Sequence, residues 1–163
     1  MIRFAAICAV SLFAPFCLAC SRQDNPKGAL LSYEYRYNGS MSRSGLYYKV
    51  ERTEEGIRIT FSDQGSWGVK RVYSGPDDAL DTIARKAAGG KLKRMKERYK
   101  TPFHVLDGWD WSVHLRYESG SISSGGYMSR PPKAQTEAIE GINAYIGTLL
   151  TEENILGTAS PED

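Results

Sequence analysis

Three groups of side chains in this sequence carry reactive or charged chemistry. The first is a thiol: of the three cysteines, Cys8 and Cys17 lie in the apolar leading segment and Cys20 stands at its end. If that segment is removed, Cys20 has no partner for an intramolecular disulfide and its sulfur is free for alkylation. The second is the row Asp110, Ser112 and His114, a carboxylate, a hydroxyl and an imidazole alternating along one stretch. Neighbours at i and i+2 of a strand sit about 6.6 Å apart, whereas catalytic partners need about 2.6 to 3.2 Å between heavy atoms. The sequence also has no G-x-S-x-G elbow. The row is therefore read as the polar face of a strand and not as a triad. Neither His104 nor His114 has a ligand spacing with a cysteine or a second histidine, so no metal and no cofactor is expected. The third group is cationic. Arg85 to Lys100 holds eight bases and one acid, Glu97, while Ala134 to Asp163 holds six acids and no base.

The leading segment decides what happens to the thiol. Arg3 supplies an early positive charge, Phe4 to Phe16 follow without a charge, and small residues run into Ala19-Cys20. A charged start, a short apolar stretch and a small-residue boundary form a secretory signal, expected over residues 1–19. A membrane-spanning helix needs about 20 apolar residues, more than this stretch offers, and Pro15 interrupts it. Cys17-Leu18-Ala19-Cys20 resembles the bacterial lipobox, although Cys17 replaces the aliphatic residue usual three positions before the modified cysteine. The resemblance implies a thioether-linked diacylglycerol on Cys20, which then becomes the first residue of the mature chain. It also implies outer-membrane delivery, because Ser21 stands where an aspartate would signal inner-membrane retention. Ordinary signal cleavage leaving a free amino-terminal cysteine is the alternative. Residues 20–28 then read as a lipidated, flexible tether (from Ser21, SRQDNPKG).

The cationic run has a bland reading and a functional one. Charged runs are usually solvated helix faces. In a protein held at a bilayer, Lys91, Lys93, Arg94, Lys96, Arg98 and Lys100 would also suit anionic head groups, at about 1 kcal/mol per base. A formal net charge of +2 gives no reason to expect a nucleic-acid partner. Aromatic residues make up 11% of the chain. Alternating aromatics on strands are mostly core, and Trp67, Tyr47 and Tyr127 are the candidates for an exposed binding surface.

The elements that would position these groups follow from periodicity. Leu31, Tyr33, Tyr35 and Tyr37 alternate with polar residues, as do Leu46, Tyr48 and Val50, then Ile57, Ile59 and Phe61, and Trp67 to Tyr73 forms a fourth strand after SDQGS. Ser74 to Asp78 (SGPDD) is a helix start. Leu80, Ile83 and Ala87 give a stripe that Leu92, Met95 and Tyr99 repeat out of phase after Gly89-Gly90, which predicts a kinked or broken helix. Trp109 to Tyr117 and Ser121 to Ser129 read as a strand pair, Lys133 to Leu150 as a final helix, and residues 152–163 as a frayed tail. The expected fold is one α+β domain over residues 29–151: an antiparallel sheet of about six strands, with two helices on one face.

Val105 to Pro131 (VLDGWDWSVHLRYESGSISSGGYMSRP) resembles small uncharacterised lipoproteins of Bacteroides-type bacteria, in which a strand pair follows an aliphatic-Asp-Gly-aromatic turn; the tyrosine-rich first hairpin is similar too. No activity comes with the resemblance. The expected function is a lipid-anchored envelope protein acting as a non-enzymatic binding module, attached to the membrane through Cys20, with a protein partner in the envelope. A periplasmic inhibitor or immunity protein that caps an enzyme with Asn38 to Gly45 or Ser119 to Gly126 is the alternative, and a hydrolase the third.

Overall fold

A computed structural model describes residues 25–39, 44–102 and 108–159. Four strands come first: β1 (Leu30–Asn38), β2 (Gly45–Thr53), β3 (Gly56–Ser62) and β4 (Lys70–Gly75). Helix α1 (Ala79–Gly89) follows, then β5 (Arg98–Lys100), β6 (Asp110–Tyr117) and β7 (Gly120–Tyr127), helix α2 (Lys133–Thr148) and β8 (Ile155–Ala159). They build one open sheet of eight strands in the order β5-β7-β6-β1-β2-β3-β4-β8.

The α+β class, the four-strand meander, the β6–β7 hairpin and the two helices agree with the sequence reading, but the strand count and the purely antiparallel sheet do not. The two strands missed are the edges. β5 pairs with β7 in parallel, Tyr99 opposite Gly126. It lies where the Leu92, Met95, Tyr99 stripe suggests more helix. The chain leaves α1 at Gly89-Gly90, Lys91 takes the left-handed conformation (φ 55°), and a single 3₁₀ turn spans Leu92–Arg94. One such turn buries Leu92 and Met95 as a longer helix would, because their spacing of three is also the 3₁₀ repeat. β8 lies where a frayed tail is expected. Its residues are mostly exposed and carry no apolar alternation, so only the β4 ladder, with Ala159 opposite Lys70 and Gly157 opposite Val72, defines it. The register shifts between Val72 and Tyr73.

Alternation along the strands sorts the residues onto two faces. Tyr33, Val50, Ile59 and Leu115 are neighbours across β1, β2, β3 and β6, and all are buried at 0% exposure on the face that carries the helices. Leu80 and Ile83 of α1 and Ile142 and Ile146 of α2 close over them, also at 0%. Each such aliphatic side chain contributes about 1.5 to 3 kcal/mol by leaving water. The Tyr33 hydroxyl donates to Asn143 Oδ1 at 2.8 Å, which ties α2 to the centre of the sheet. The opposite face is polar: Glu34, Lys49 and Thr60 form one cross-strand row with His114 and Ser123.

The strand directions give the sheet two distinct ends. At the entry end β1 begins, with Leu30 opposite Tyr117; at the far end Asn38 stands opposite both Gly45 and Asp110. The length of β1 separates them by about 27 Å. The last residues of the expected tether are held on the domain: Pro26 is fully buried, and Lys27 N–H donates to Ser119 Oγ at 2.7 Å, while residues 20–24 lie outside the described residues. Ser119 Oγ donates back to the Lys27 carbonyl at 3.0 Å, and Glu118 N–H donates to the Ala29 carbonyl at 3.1 Å. Gly28 has φ 86°, and a Cβ there would stand 2.1 Å from Glu118 Oε2, so the tight path past the β6–β7 turn favours glycine.

Candidate functional site

At the far end Tyr35 and Tyr37 of β1, with Trp109 just before β6 and Trp111 within it, face the first two turns of α2 and line a pocket of about 80 Å³. Arg130 and Pro131, which lead into α2, and Thr136, Ile139 and Glu140 on it complete the wall. The rings are fixed from several sides. Trp111 Nε1 donates to the Ser129 carbonyl at 2.6 Å, and its ring lies 5.9 Å from that of Tyr99. Tyr37 and Trp109 are tilted by 31° at 6.2 Å. Thr136 Oγ1 donates to the Pro131 carbonyl at 3.0 Å and holds the start of α2 in place. At the mouth the Arg130 guanidinium lies 5.7 Å over the Trp109 ring and 3.6 Å from Glu140 Oε1. Burial, reinforced by the neighbouring Tyr37, pushes the Tyr35 hydroxyl up to about 12, so it stays a neutral donor at physiological pH.

Ligand pockets for small molecules span about 300 to 1,000 Å³. A space of 80 Å³ takes much less, about one apolar side chain, and its aromatic walls with a charged pair at the rim suit an anchor residue from a protein partner. The sequence reading assigned these four aromatics to the core face, correctly for their side of the sheet. Sequence does not show that the first turns of α2 leave Tyr35, Tyr37 and Trp109 only partly covered. The doubled tryptophan at the start of β6 was the available signal.

The three aromatics proposed from sequence separate. Trp67 is 85% exposed at the far end, beside a shallow recess lined by Asn38, Gly39, Ser44, Gln64 and Gly68. Tyr127 is 37% exposed, on the polar face in a row with Asp110 and Asn38. Tyr47 is not a surface platform: it is 6% exposed, with the Arg36 guanidinium 5.6 Å and the Lys70 ammonium 5.7 Å from its ring centre. Cations with long apolar stems cover it from the polar face.

The cationic run is not one face either. Lys91, Lys93 and Arg94 lie around the 3₁₀ turn at the entry end, where Lys93 Nζ donates to the Pro26 carbonyl at 2.6 Å and sits 4.7 Å over the Tyr117 ring. The chain then climbs along the edge of β7, with the Lys96 carbonyl accepting from Ser124 Oγ at 2.7 Å. Arg98 and Lys100 end on the polar face, beside a broad concavity of about 1000 Å³ that also meets Glu34, Arg36, His114 and Tyr127.

In that concavity His114 is not brought to Asp110 or Ser112, in line with the strand argument. Its Nδ1 instead lies 2.6 Å from Ser123 Oγ on β7, and Glu34 stands opposite it on β1. Glu34 is paired to Arg36, and Ser123 lies in regular strand, whose own backbone N–H groups run in the sheet plane instead of over the face where an oxyanion would form.

Cys20 and the signal segment lie outside the described residues. Among the described residues no helix is long and apolar enough to cross a membrane, and no group of His, Cys, Asp and Glu is arranged to hold a metal ion. No protein-family model and no curated protein matches the chain.

Proposed function

We propose that the protein is a lipid-anchored lipoprotein of the bacterial outer membrane that works as a non-enzymatic binding module, gripping a protein partner in the envelope through the pocket of Tyr35, Tyr37, Trp109 and Trp111. The anchor rests on the Cys17 to Cys20 motif and on the cysteine count. The binding role rests on one observation: a pocket of about 80 Å³ walled by four aromatic rings, too small for a typical substrate. Buried aromatic anchor sites of this kind carry a large share of the energy of protein association.

The test has two arms. Crosslinking in intact envelopes from a photoreactive residue at Arg130 should capture one discrete partner, and the additional change Trp109→Ala should abolish the product. A reactive residue at Lys49, on the polar face, is the control. Capture unaffected by Trp109→Ala would dismiss the pocket as the binding site. The second reading, a periplasmic inhibitor, is favoured by the 85% exposure of Trp67 near the end of the Asn38 to Gly45 connection. The other segment named for that role is mostly strand β7, and its turn is bound to Lys27. Recovery of an enzyme whose activity falls on adding the protein would favour that reading.

A further inference from the structure

We infer that the domain meets the bilayer through one corner of its entry end, built from Lys27, Lys91, Lys93 and Arg94, and that this corner lies against anionic lipid head groups. The inference rests on the anchor proposed at Cys20.

Chain length carries the first step. Pro26 is buried and Lys93 Nζ binds its carbonyl at 2.6 Å, so position 26 is a fixed point of the domain. Six residue steps join it to Cys20, a reach of at most about 22 Å. Whatever path these residues take, an acylated Cys20 keeps the membrane surface within about that distance of Pro26, whose carbonyl the Lys93 ammonium binds.

Charge carries the second. All four cations are exposed, and among the described residues the carboxylate beside them is Glu118, next to Gly28, which leaves these residues with a surplus of positive charge. Along the rest of the entry end acids outnumber bases, with the exposed Arg52 at the end of β2 beside them. The β2–β3 turn holds Glu54 and Glu55, the link from β4 to α1 holds Asp77 and Asp78, and the link from α2 to β8 holds Glu152 and Glu153. These acids begin at least two strand spacings from β6, about 10 Å away, beyond the screening length of about 8 Å at physiological ionic strength. Resting the whole end flat on an anionic surface would press them against like charge, whereas tilting onto the basic corner lifts them away. The far-end pocket then points away from the bilayer.

The experiment uses the full acylated chain, reconstituted into vesicles of phosphatidylcholine alone or mixed with phosphatidylglycerol, with lysines labelled by an amine-reactive reagent and read by mass spectrometry. In the anionic vesicles labelling of Lys27 and Lys91 should fall about fivefold relative to the neutral ones, while Lys49 and Lys133 stay unchanged. The variant Lys91→Glu with Arg94→Glu, both exposed, should still float with the vesicles and lose the protection at Lys27; an unchanged urea transition shows that it folds. An acylated, floating protein whose Lys91 labels equally in both lipids overturns the orientation and leaves the anchor standing. An unmodified Cys20 on protein left behind by both kinds of vesicle overturns the anchor and the orientation with it.

Discussion

Tyr33 donates its hydroxyl to Asn143 Oδ1 at 2.8 Å from a fully buried position on the central strand. The bond satisfies the one polar atom of a ring that otherwise belongs to the core, and it fixes α2 relative to β1. Tyr33→Phe keeps the ring volume and leaves the amide oxygen without this donor, a loss of about 1 to 2 kcal/mol. A urea titration should show the midpoint lowered with its slope unchanged. A midpoint equal to that of the wild type would mean that water replaces the hydroxyl at Asn143 without loss.

The same ring gives the protein an alkaline limit. Burial raises the Tyr33 hydroxyl well above 10, and Tyr35 reaches about 12. In the unfolded chain both ionise near 10, so above that pH the unfolded state binds fewer protons than the folded one. Stability should be level below about pH 10 and then fall by up to about 1.4 kcal/mol per pH unit for each tyrosine until its folded value is passed. Thermal melts between pH 8 and pH 12 should show the decline begin near 10 and become shallower in Tyr33→Phe.

Removing Trp109 should separate binding from folding. Its ring is half-buried and packs on Tyr37 at 6.2 Å and under Arg130 at 5.7 Å. Truncation to alanine should cost about 1 to 2 kcal/mol of stability, less than a fully buried aromatic. Loss of an anchor contact should weaken partner capture by at least about tenfold. A large drop in melting temperature with capture intact would reverse the assignment.

Gly28 should resist substitution in two separable ways. Alanine there meets Glu118 Oε2, an exposed side-chain end that can turn aside, but also Glu118 Cβ at 2.8 Å, and it has to hold φ 86°; neither of these is relieved by a side-chain rotation. Gly28→Ala should therefore lose about 1 to 2 kcal/mol, and adding Glu118→Ala should recover only part of it. Faster amide exchange at Lys27 and Ser119 in the single variant would report the loosened entry segment.

How much was legible in the sequence follows from where burial is one-sided. β6 alternates strictly, and β1, β2 and β3 largely so apart from the bulge near Leu30 and the covered Tyr47, because one face is core and the other mostly wet, and α2 shows its stripe for the same reason. β5 has that asymmetry over only three residues, Tyr99 inward between Arg98 and Lys100, too few to set a period, and β8 lacks it, being bound almost wholly through main-chain pairing. The six bases between Lys91 and Lys100 look continuous on paper because the turn at Lys91, which divides them, depends on one left-handed residue. Tyr47 was misplaced for a related reason: its side of the sheet was legible, but not the two cations that lie over its ring. The aromatic pocket was visible only as residues, since its existence depends on how completely the first turns of α2 cover them.

The two rims of the sheet bear on life in a crowded plane. Molecules tethered to one surface meet side by side far more often than free ones, and an unpaired strand is the usual route by which such neighbours fuse into aggregates. Here one rim is a three-residue strand carrying Arg98 and Lys100, and the other is five residues long with a register slip at Val72 and Tyr73. Neither offers a long, flat template. Dense packing on a membrane therefore need not join neighbouring copies into a continuous sheet.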